Sequence, residues 1–555
     1  MRIKRPRGLS RRRFLQAGAA LGALPFLESC GSSPLPAGTG PDAPLPGAAP
    51  EFRHGIASGD PLADRVILWT RLTPPAGTER VSVSLSVYRD PALLNLVGTR
   101  SQLTDASRDY TVKIDFDGLA PGSSYYYQFE SGAARSAIGR TRTLPAAGVE
   151  HLRFGVCSCS QYTNGFFNAY GALAKRSDLD AILHLGDYIY EGDYGDTALA
   201  GREHLPAREI ISLADYRERH AQYKTDPDLV ELHRQTPFIT IWDDHESTDN
   251  SYRDSARNHT EGAPPAGEGV WSERKAAAQR AYFEWLPIRE QQPGNFDLIY
   301  RRFAFGDLVD LLMLDTRLQR DAAPADYPPA CDATLTDPDR QMLGPVQEDW
   351  FSAQLRASTA RWRVVGSSVM FGQWKVVGAP NGATCGGQYL NADQWDGYQV
   401  ARDRIFAVLA GGAGLPAVTN NVFLAGDIHS AWALDLNEDP NNPASYNPVT
   451  GSGTRAVEFV CNSVTSSFPI PGDSGMAFLA GNPAIRYIQT AQRGYLLLDI
   501  TREAVTGEFW LNPDISTRSS AETFGRAYRS GYDAQSLTLA TAATSPPADP
   551  PAPAP

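Results

Sequence analysis

From residue 150 onward, short apolar runs at 152–156, 181–185, 238–242, 309–314, 363–365 and 422–425 alternate with segments of helical periodicity. Runs this short and this apolar are not amphipathic helices. They read as strands buried on both faces, the pattern of largely parallel sheets covered by helices. The spacing predicts helices over 212–223, 346–357 and 271–285, the last stopped by Pro287. The runs 494–500 and 507–511 look like a closing hairpin. Beyond Asp514 a polar helix is expected, then a Pro/Ala low-complexity tail over 541–555.

Four of the strand-like runs end in groups able to bind a metal: Cys157-Ser158-Cys159, Gly186-Asp187 with Tyr190-Glu191 behind it, Asp243-Asp244-His245-Glu246, and Gly426-Asp427-Ile428-His429. The carboxyl ends of strands in α/β sheets form the ligand crevice, so the four could converge. One apolar run followed by Gly-Asp says little, because Asp often caps the next turn. Four such ends in one region, all acidic, thiol or imidazole, point to a multinuclear metal site.

Residues 52–145 have a different texture, with β-rich or alternating runs at 66–72, 81–88, 110–116 and 125–129. Leu119-Ala120-Pro121 ahead of Tyr125 resembles the turn before the corner tyrosine of fibronectin type III sandwiches. A domain packed on the following unit is favoured over a carbohydrate- or surface-binding module. The first thirty residues read as a targeting segment. Ser10-Arg11-Arg12-Arg13-Phe14-Leu15 followed by the weakly apolar run 17–27 resembles a twin-arginine (Tat) export signal. Leu27-Glu28-Ser29-Cys30-Gly31 resembles a lipobox in which Glu28 is out of pattern, so a lipid anchor at Cys30 and free secretion both stay open. Residues 31–50, rich in Pro, Gly, Ala and Ser, make a flexible tether.

Composition closes off some classes. A formal charge of −12 argues against a nucleic-acid binder, which usually presents a basic face. No apolar run reaches the roughly 18 residues of a spanning helix, so a soluble or lipid-tethered protein is expected. Among the six cysteines, Cys331 and Cys385 lie in polar loops and are a candidate disulfide if the chain is exported. Cys461, after an apolar run, reads as a buried small residue.

The ligand blocks resemble the metallophosphoesterase superfamily, with departures at each place: Cys-Ser for Asp-x-His, Tyr190 for a second Asp, Asp244 for Asn, and Asp427 for His. Those departures match one branch, the PhoD-like alkaline phosphatase/phosphodiesterase family. The similarity covers nearly the whole mature chain, including Phe52-Arg53-His54-Gly55, Trp242-Asp243-Asp244-His245-Glu246 and Leu314-Asp315-Thr316-Arg317. It implies an α/β fold in which a fibronectin/Ig-like β-sandwich precedes a metallophosphoesterase-type α/β sandwich. The expected limits are 1–30 signal, 31–50 linker, 51–146 β-sandwich, 150–512 catalytic unit and 513–555 C-terminal extension.

Carried over by position, Cys159, Asp187, Tyr190, Asp244, Asp427 and His429 would hold the metals. Cys157 competes with Cys159, since residues two apart on a strand share a face. The family's distance to Gly165 and Phe166-Phe167 favours Cys159. His245, Asn250 and Arg253 are the candidate catalytic residues: His245 as hydrogen-bond donor or acid to the leaving oxygen, Asn250 near metal or phosphate, and Arg253 as a phosphate clamp or else a surface arginine. Asp243 and Glu246 are expected to orient His245 and metal waters, and Asp315 and Arg317 to form a structural ion pair, a substrate role being the alternative.

Thiolate, phenolate and three carboxylates outnumber the imidazoles, which suits hard cations rather than a dizinc site. A coordinated tyrosine, ordinarily titrating near pH 10, calls for a strongly acidic metal. With the family's known cofactor this makes Fe³⁺ with Ca²⁺ the expected pair, Mn²⁺, Mg²⁺ and Zn²⁺ being alternatives. The expected activity is alkaline hydrolysis of phosphoric esters by a metal-bound hydroxide. The expected protein is an exported monomer (periplasmic, secreted or envelope-anchored) whose partners are the ester substrate and the Tat machinery. The rival readings are a non-catalytic metal-stabilised surface-binding protein and an iron redox enzyme.

Overall fold

Parallel pairing of His151–Cys157, Ala181–His184 and Phe238–Thr240 makes the centre of a ten-stranded sheet. A second, seven-stranded sheet has Val309–Met313, Trp362–Gly366, Asn421–Ala425 and Ala456–Val460 parallel at its centre. The computed structural model describes residues 51–192, 198–381, 384–412, 414–468, 479 and 481–555. The expected signal segment, Cys30 and the tether 31–50 lie outside the described residues.

The two sheets pack face to face. Phe154 meets Phe305 across the interface with ring centroids 4.9 Å apart, and Leu311, Val364, Val422 and Phe459 share that core. One residue out of phase, Leu312, Val365 and Phe423 face the opposite way, onto helices. Successive strand side chains point to opposite faces, so strands apolar throughout can fill both layers. Helices α1 (Asn168–Ala174), α2 (Leu213–Tyr223), α3 (Pro227–Gln235) and α4 (Trp271–Trp285) belong to the large-sheet side, and α5 (Pro345–Ala357) and α6 (Gln399–Ala410) cover the second sheet. The α/β expectation is met in this four-layer arrangement.

Helix ends follow from local chemistry. Ser212 and Asp215 form a reciprocal capping box at the start of α2. Leu286, ahead of Pro287, is extended (φ −120°, ψ 150°), so α4 stops at Trp285. The short helices α1 and α3 were not expected, and α6 was missed as well.

The N-terminal sandwich is not a separate bead. Its five-stranded sheet, centred on Arg80–Tyr88 and Ser124–Ser131, packs over Arg65–Arg71 and Thr111–Asp117 around a shared apolar core. Those two strands and Ile56–Gly59 extend the large sheet, Gly59 pairing in parallel with Phe238. A Cβ at Gly59 would lie 2.6 Å from the carbonyl oxygens of Phe238 and Pro287, so only glycine permits that seam. The expected corner tyrosine is in place: the Ala120 N–H donates to the buried Tyr125 hydroxyl at 2.8 Å.

One expectation changes at the other end. The hairpin of Arg493–Thr501 and Ala504–Asn512 forms, but the polar stretch after Asp514 is no helix. Thr523–Gly531 and Thr538–Ala540 add antiparallel strands to the edge of the large sheet, and their polar character reflects an edge with one wet face. Cys331 and Cys385 are joined, with Cα atoms 4.9 Å apart, and Cys461 is buried against Ser158.

At the seam between sandwich and catalytic layers, His220 of α2 lies stacked on Trp285, fully buried, with Lys224 one turn on. Burial, with Lys224 and Arg219 adding to it, pushes its pKa down to about 3. The unfolded chain therefore takes up a proton the folded chain refuses, and stability is complete above about pH 6.5 and lost as pH falls towards 3. We expect His220→Gln to remove about 1.4 kcal/mol per pH unit from the slope of stability against pH between 6 and 4, measured by urea unfolding. Equal slopes would contradict this account of the seam.

Candidate functional site

Three neighbouring strands of the large sheet and two of the second point their carboxyl ends at one spot. From the large sheet come Cys159, Asp187 and Asp243-Asp244, just past His151–Cys157, Ala181–His184 and Phe238–Thr240. From the second come Asp315-Thr316-Arg317 and Asp427-Ile428-His429, past Val309–Met313 and Asn421–Ala425. The loops are packed too tightly for side chains at the two turning glycines. A Cβ at Gly186 (φ +101°) would sit 2.4 Å from the Asp243 Cβ, and one at Gly426 would sit 2.6 Å from the Ser158 Oγ.

Backbone strain collects at the same place. Cys159, Asp187, Asn250, Asp427 and His429 all have positive φ, between 54° and 63°. Each such residue costs on the order of 1–3 kcal/mol and persists only where its surroundings dictate it. The turns aim these side chains inward instead of along the strands.

The cluster is compact and buried. Ligand-type atoms of Cys159, Asp187 and His429 lie within 4.8 Å of one another, as do those of Asp187, Asp244 and His245, and those of Asp243, Asp244 and Asp427. The Tyr190 hydroxyl donates to Asp187 Oδ2 at 2.8 Å, lies 3.2 Å from His429 Nε2, and accepts a hydrogen bond from the Ser466 hydroxyl at 2.7 Å. Thus all six sequence-proposed ligands meet around one centre. Cys157 does not join them. It packs in the apolar core, on the strand face where Gly155 lets Leu173 of α1 approach.

Charge decides what the cluster can hold. Asp187, Glu191, Asp243, Asp244, Glu246 and Asp427 are all buried, and the buried guanidinium among them is that of Arg317. Burial and then the Asp187 charge push both the Tyr190 phenol and the Cys159 thiol well up, so neither ionises unless a cation draws its proton off. Asp187 Oδ1 and Asn250 Oδ1 are buried acceptors with no hydrogen bond among the described residues. Orphaned acceptors among surplus carboxylates, with sulfur, phenol and imidazole donors beside them, fit bound metal cations.

Several supporting roles differ from expectation. His245 is oriented by Glu191, not by Asp243 or Glu246: its Nδ1 lies 2.8 Å from Glu191 Oε2, and its ring stacks on Tyr190 at 4.2 Å. Although burial opposes it, Glu191, Asp244 and Asp187 raise the His245 pKa well above its ordinary value. Glu246 instead accepts the backbone N–H groups of Asp187, Tyr188 and Asp243, tying two ligand loops together. Asp315 caps the N–H groups of Arg317 and Leu318, so the expected Asp315–Arg317 side-chain pair is absent. The Arg317 guanidinium is fully buried against Asp243, Asp393 and Asp427, with Asp244 at 3.6 Å.

Asn250 is close by, its N–H donating to Asp244 Oδ2 at 2.6 Å. Arg253 turns away: its half-exposed guanidinium pairs with Asp254 and Asp321, neither of them in the cluster. The surface-arginine alternative describes it better than a phosphate clamp. Gln394, donating to Asp427 Oδ2 at 2.9 Å, and Ser466 were not foreseen, since each comes from a polar loop without a motif.

Comparison with known proteins gives a consistent match. The family model for the PhoD-like phosphatase covers residues 154–509, and that for the PhoD-like phosphatase N-terminal domain covers 39–145. The chain is 34% identical over 541 residues to alkaline phosphatase D of Bacillus subtilis (strain 168), spanning 92% of this chain and 86% of that protein. A solved structure of PhoD superposes with a TM-score of 0.79 at 32% identity, covering 90% of this chain and 94% of that one.

Glu191→Gln keeps an acceptor for the Asp249 N–H but removes the charge that faces His245. We expect turnover to fall ~10–100-fold, the usual effect of losing an outer partner, with the folded content unchanged by circular dichroism. Wild-type turnover in this variant would mean that the dyad has no part in the reaction.

Proposed function

The chain belongs to the PhoD-like phosphatase family, and on that premise we propose that it hydrolyses phosphoric mono- and diesters at a metal cluster held by Cys159, Asp187, Tyr190, Asp244, Asp427 and His429. The observation that carries the reading is the convergence of five strand ends on one buried, strained, acid-rich centre. Phosphoester hydrolysis itself follows from the family. The metal identities, Fe³⁺ with Ca²⁺, are supported by the donor chemistry: thiol and phenol suit a strongly acidic ion, and carboxylate oxygens suit calcium.

When bound, such ions neutralise the anionic ester and make a water acidic enough to attack phosphorus. The chain's own groups do the rest. Asp187, facing both Tyr190 and Asp244, is placed to span the cluster. Glu191 fixes a proton of His245 on Nδ1, which leaves Nε2 to hold a proton for the leaving oxygen, and the ring lies beside Asp187 and Asp244. Asn250 fixes Asp244 through its backbone N–H, and its own amide oxygen is buried. Arg317 offsets part of the carboxylate charge, holding Asp243 and Asp427 in fixed orientations.

The redox reading is disfavoured by the same charge balance, since so many anionic donors stabilise an oxidised metal and oppose its cycling. A purely surface-binding role would leave the strained centre unexplained. Export through Tat, with release or lipid attachment at Cys30, rests on the N-terminal residues alone; a chain with Arg11 and Arg12 both replaced by Lys should stay in the cytoplasm, and its normal export would refute this.

The test of the activity compares p-nitrophenyl phosphate with bis-p-nitrophenyl phosphate at alkaline pH, with and without a calcium chelator. A diester carries less negative charge than a monoester, so a carboxylate-rich site should accept it readily. We expect diester kcat/KM at least comparable to monoester, inhibition by the chelator, and loss of at least ~100-fold in Asp187→Asn, more than an outer partner's loss costs. Strict monoesterase activity indifferent to chelation would contradict the proposal.

A further inference from the structure

Residues 551–555 read Pro-Ala-Pro-Ala-Pro, a composition expected to stay unstructured. Instead the segment is held in a groove between the N-terminal sandwich and helix α3. Proline has no N–H, so a Pro-rich stretch offers bare carbonyl oxygens that need donors from elsewhere. The groove supplies a donor to four of the five. Arg140 Nη1 donates to the Pro551 carbonyl at 3.0 Å, the Tyr126 hydroxyl to Ala552 at 2.6 Å, Gln235 Nε2 to Ala554 at 3.0 Å and Arg234 Nη1 to Pro555 at 2.7 Å. The Ala554 N–H completes the set by donating to Gln235 Oε1 at 2.9 Å. One glutamine side chain thus pairs with both backbone groups of one residue, and Ala554 is 5% exposed.

Those donors come from both sides of the seam. Tyr126 and Arg140 belong to the sandwich strands Ser124–Ser131 and Gly139–Arg142; Arg234 and Gln235 end α3. Two of them also bridge the seam directly. Arg140 donates to the carbonyls of Gln235 and Ser177, and Arg234 donates to that of Ile138. The docked segment therefore shares its donors with the contacts that join the two units. Farther up, Thr544 is tied to Glu508 of the large sheet at 2.6 Å through its N–H, so the chain is anchored at both ends of its path.

We propose that this groove is a polyproline-reading surface whose occupant is the chain's own segment 550–555, and that the docked segment clamps the sandwich to the catalytic unit. Recognition rests on backbone carbonyls and a small buried side chain at 554, so the fitting ligand is an alternating Pro-Ala stretch without bulky residues. The clamp lies apart from the acid cluster and uses none of its residues.

The experiment uses the full chain with 550–555 replaced by Gly/Ser of equal length, and separately the full chain carrying Gln235→Ala. Hydrogen exchange is followed at residues 138–142 and 231–235. Losing several hydrogen bonds that each contribute about 1 kcal/mol should speed exchange there at least ~10-fold in the Gly/Ser chain. The synthetic peptide of residues 549–555, added in millimolar excess, should restore slow exchange to that chain. In a chain combining the Gly/Ser replacement with Gln235→Ala, the peptide should bind at least ~10-fold more weakly. Unchanged exchange in both variants would overturn the proposal, as would faster exchange that the peptide fails to reverse. A wild-type dimer that becomes monomeric on the Gly/Ser replacement would place a second copy's tail in the groove and overturn the assignment in cis.

Discussion

The structure turns on an excess of buried negative charge. Six carboxyl groups, a thiol and a phenol lie within one region where water is excluded, and one guanidinium, that of Arg317, stands among them. An isolated buried carboxylate is penalised by several kcal/mol even after relaxation. Hydrogen bonds lessen the cost: Glu246 takes three backbone N–H groups, and Asp244 takes that of Asn250. They do not neutralise it. Protonation lessens it further, since burial pushes Glu246 up to about 8, and bound cations would neutralise the rest; the side-chain oxygens Asp187 Oδ1 and Asn250 Oδ1 accept no hydrogen bond from the described residues.

The scaffold exists to hold that arrangement under strain. The parallel centres of two mixed sheets bring five strand ends together, and Gly186 and Gly426 let the loops touch. The left-handed turns at Cys159, Asp187, Asn250, Asp427 and His429 are tolerated because the sheets behind them are closely packed and apolar on both faces. The sandwich contributes to the same rigidity. Ile56–Gly59, Arg65–Arg71 and Thr111–Asp117 lengthen the large sheet, and His220, Trp69 and Trp285 fill the seam behind it.

What was legible in the sequence was whatever one strand and its end could carry. Apolar runs such as 309–314 and 422–425 read as buried strands, and the acidic, thiol and imidazole groups past four such runs, taken together, read as a metal site. The corner tyrosine, Tyr125, and the break before Pro287 are local devices of the same kind. Relations between distant segments were not legible. Arg317 was assigned to Asp315 two residues away, yet its guanidinium reaches Asp243, Asp393 and Asp427, each on a different loop. Glu191 stands in a motif, but its pairing with His245 depends on how two loops fold over each other. The strands Thr523–Gly531 and Thr538–Ala540 failed for another reason: at a sheet edge, one wet face and little apolar pattern leave nothing for periodicity to detect.

The occupants proposed for the centre among Cys159, Asp187, Tyr190 and His429 are cations, one of them iron. The most direct measurement is anomalous diffraction above and below the iron edge on crystals of protein made in an exporting host. The account requires an iron-specific peak bounded by the Tyr190 hydroxyl, the Cys159 sulfur and an Asp187 oxygen, with a second, non-iron cation towards Asp244 and Asp427. A centre with no cation, or with zinc alone and the Tyr190 hydroxyl outside coordination distance, would contradict it.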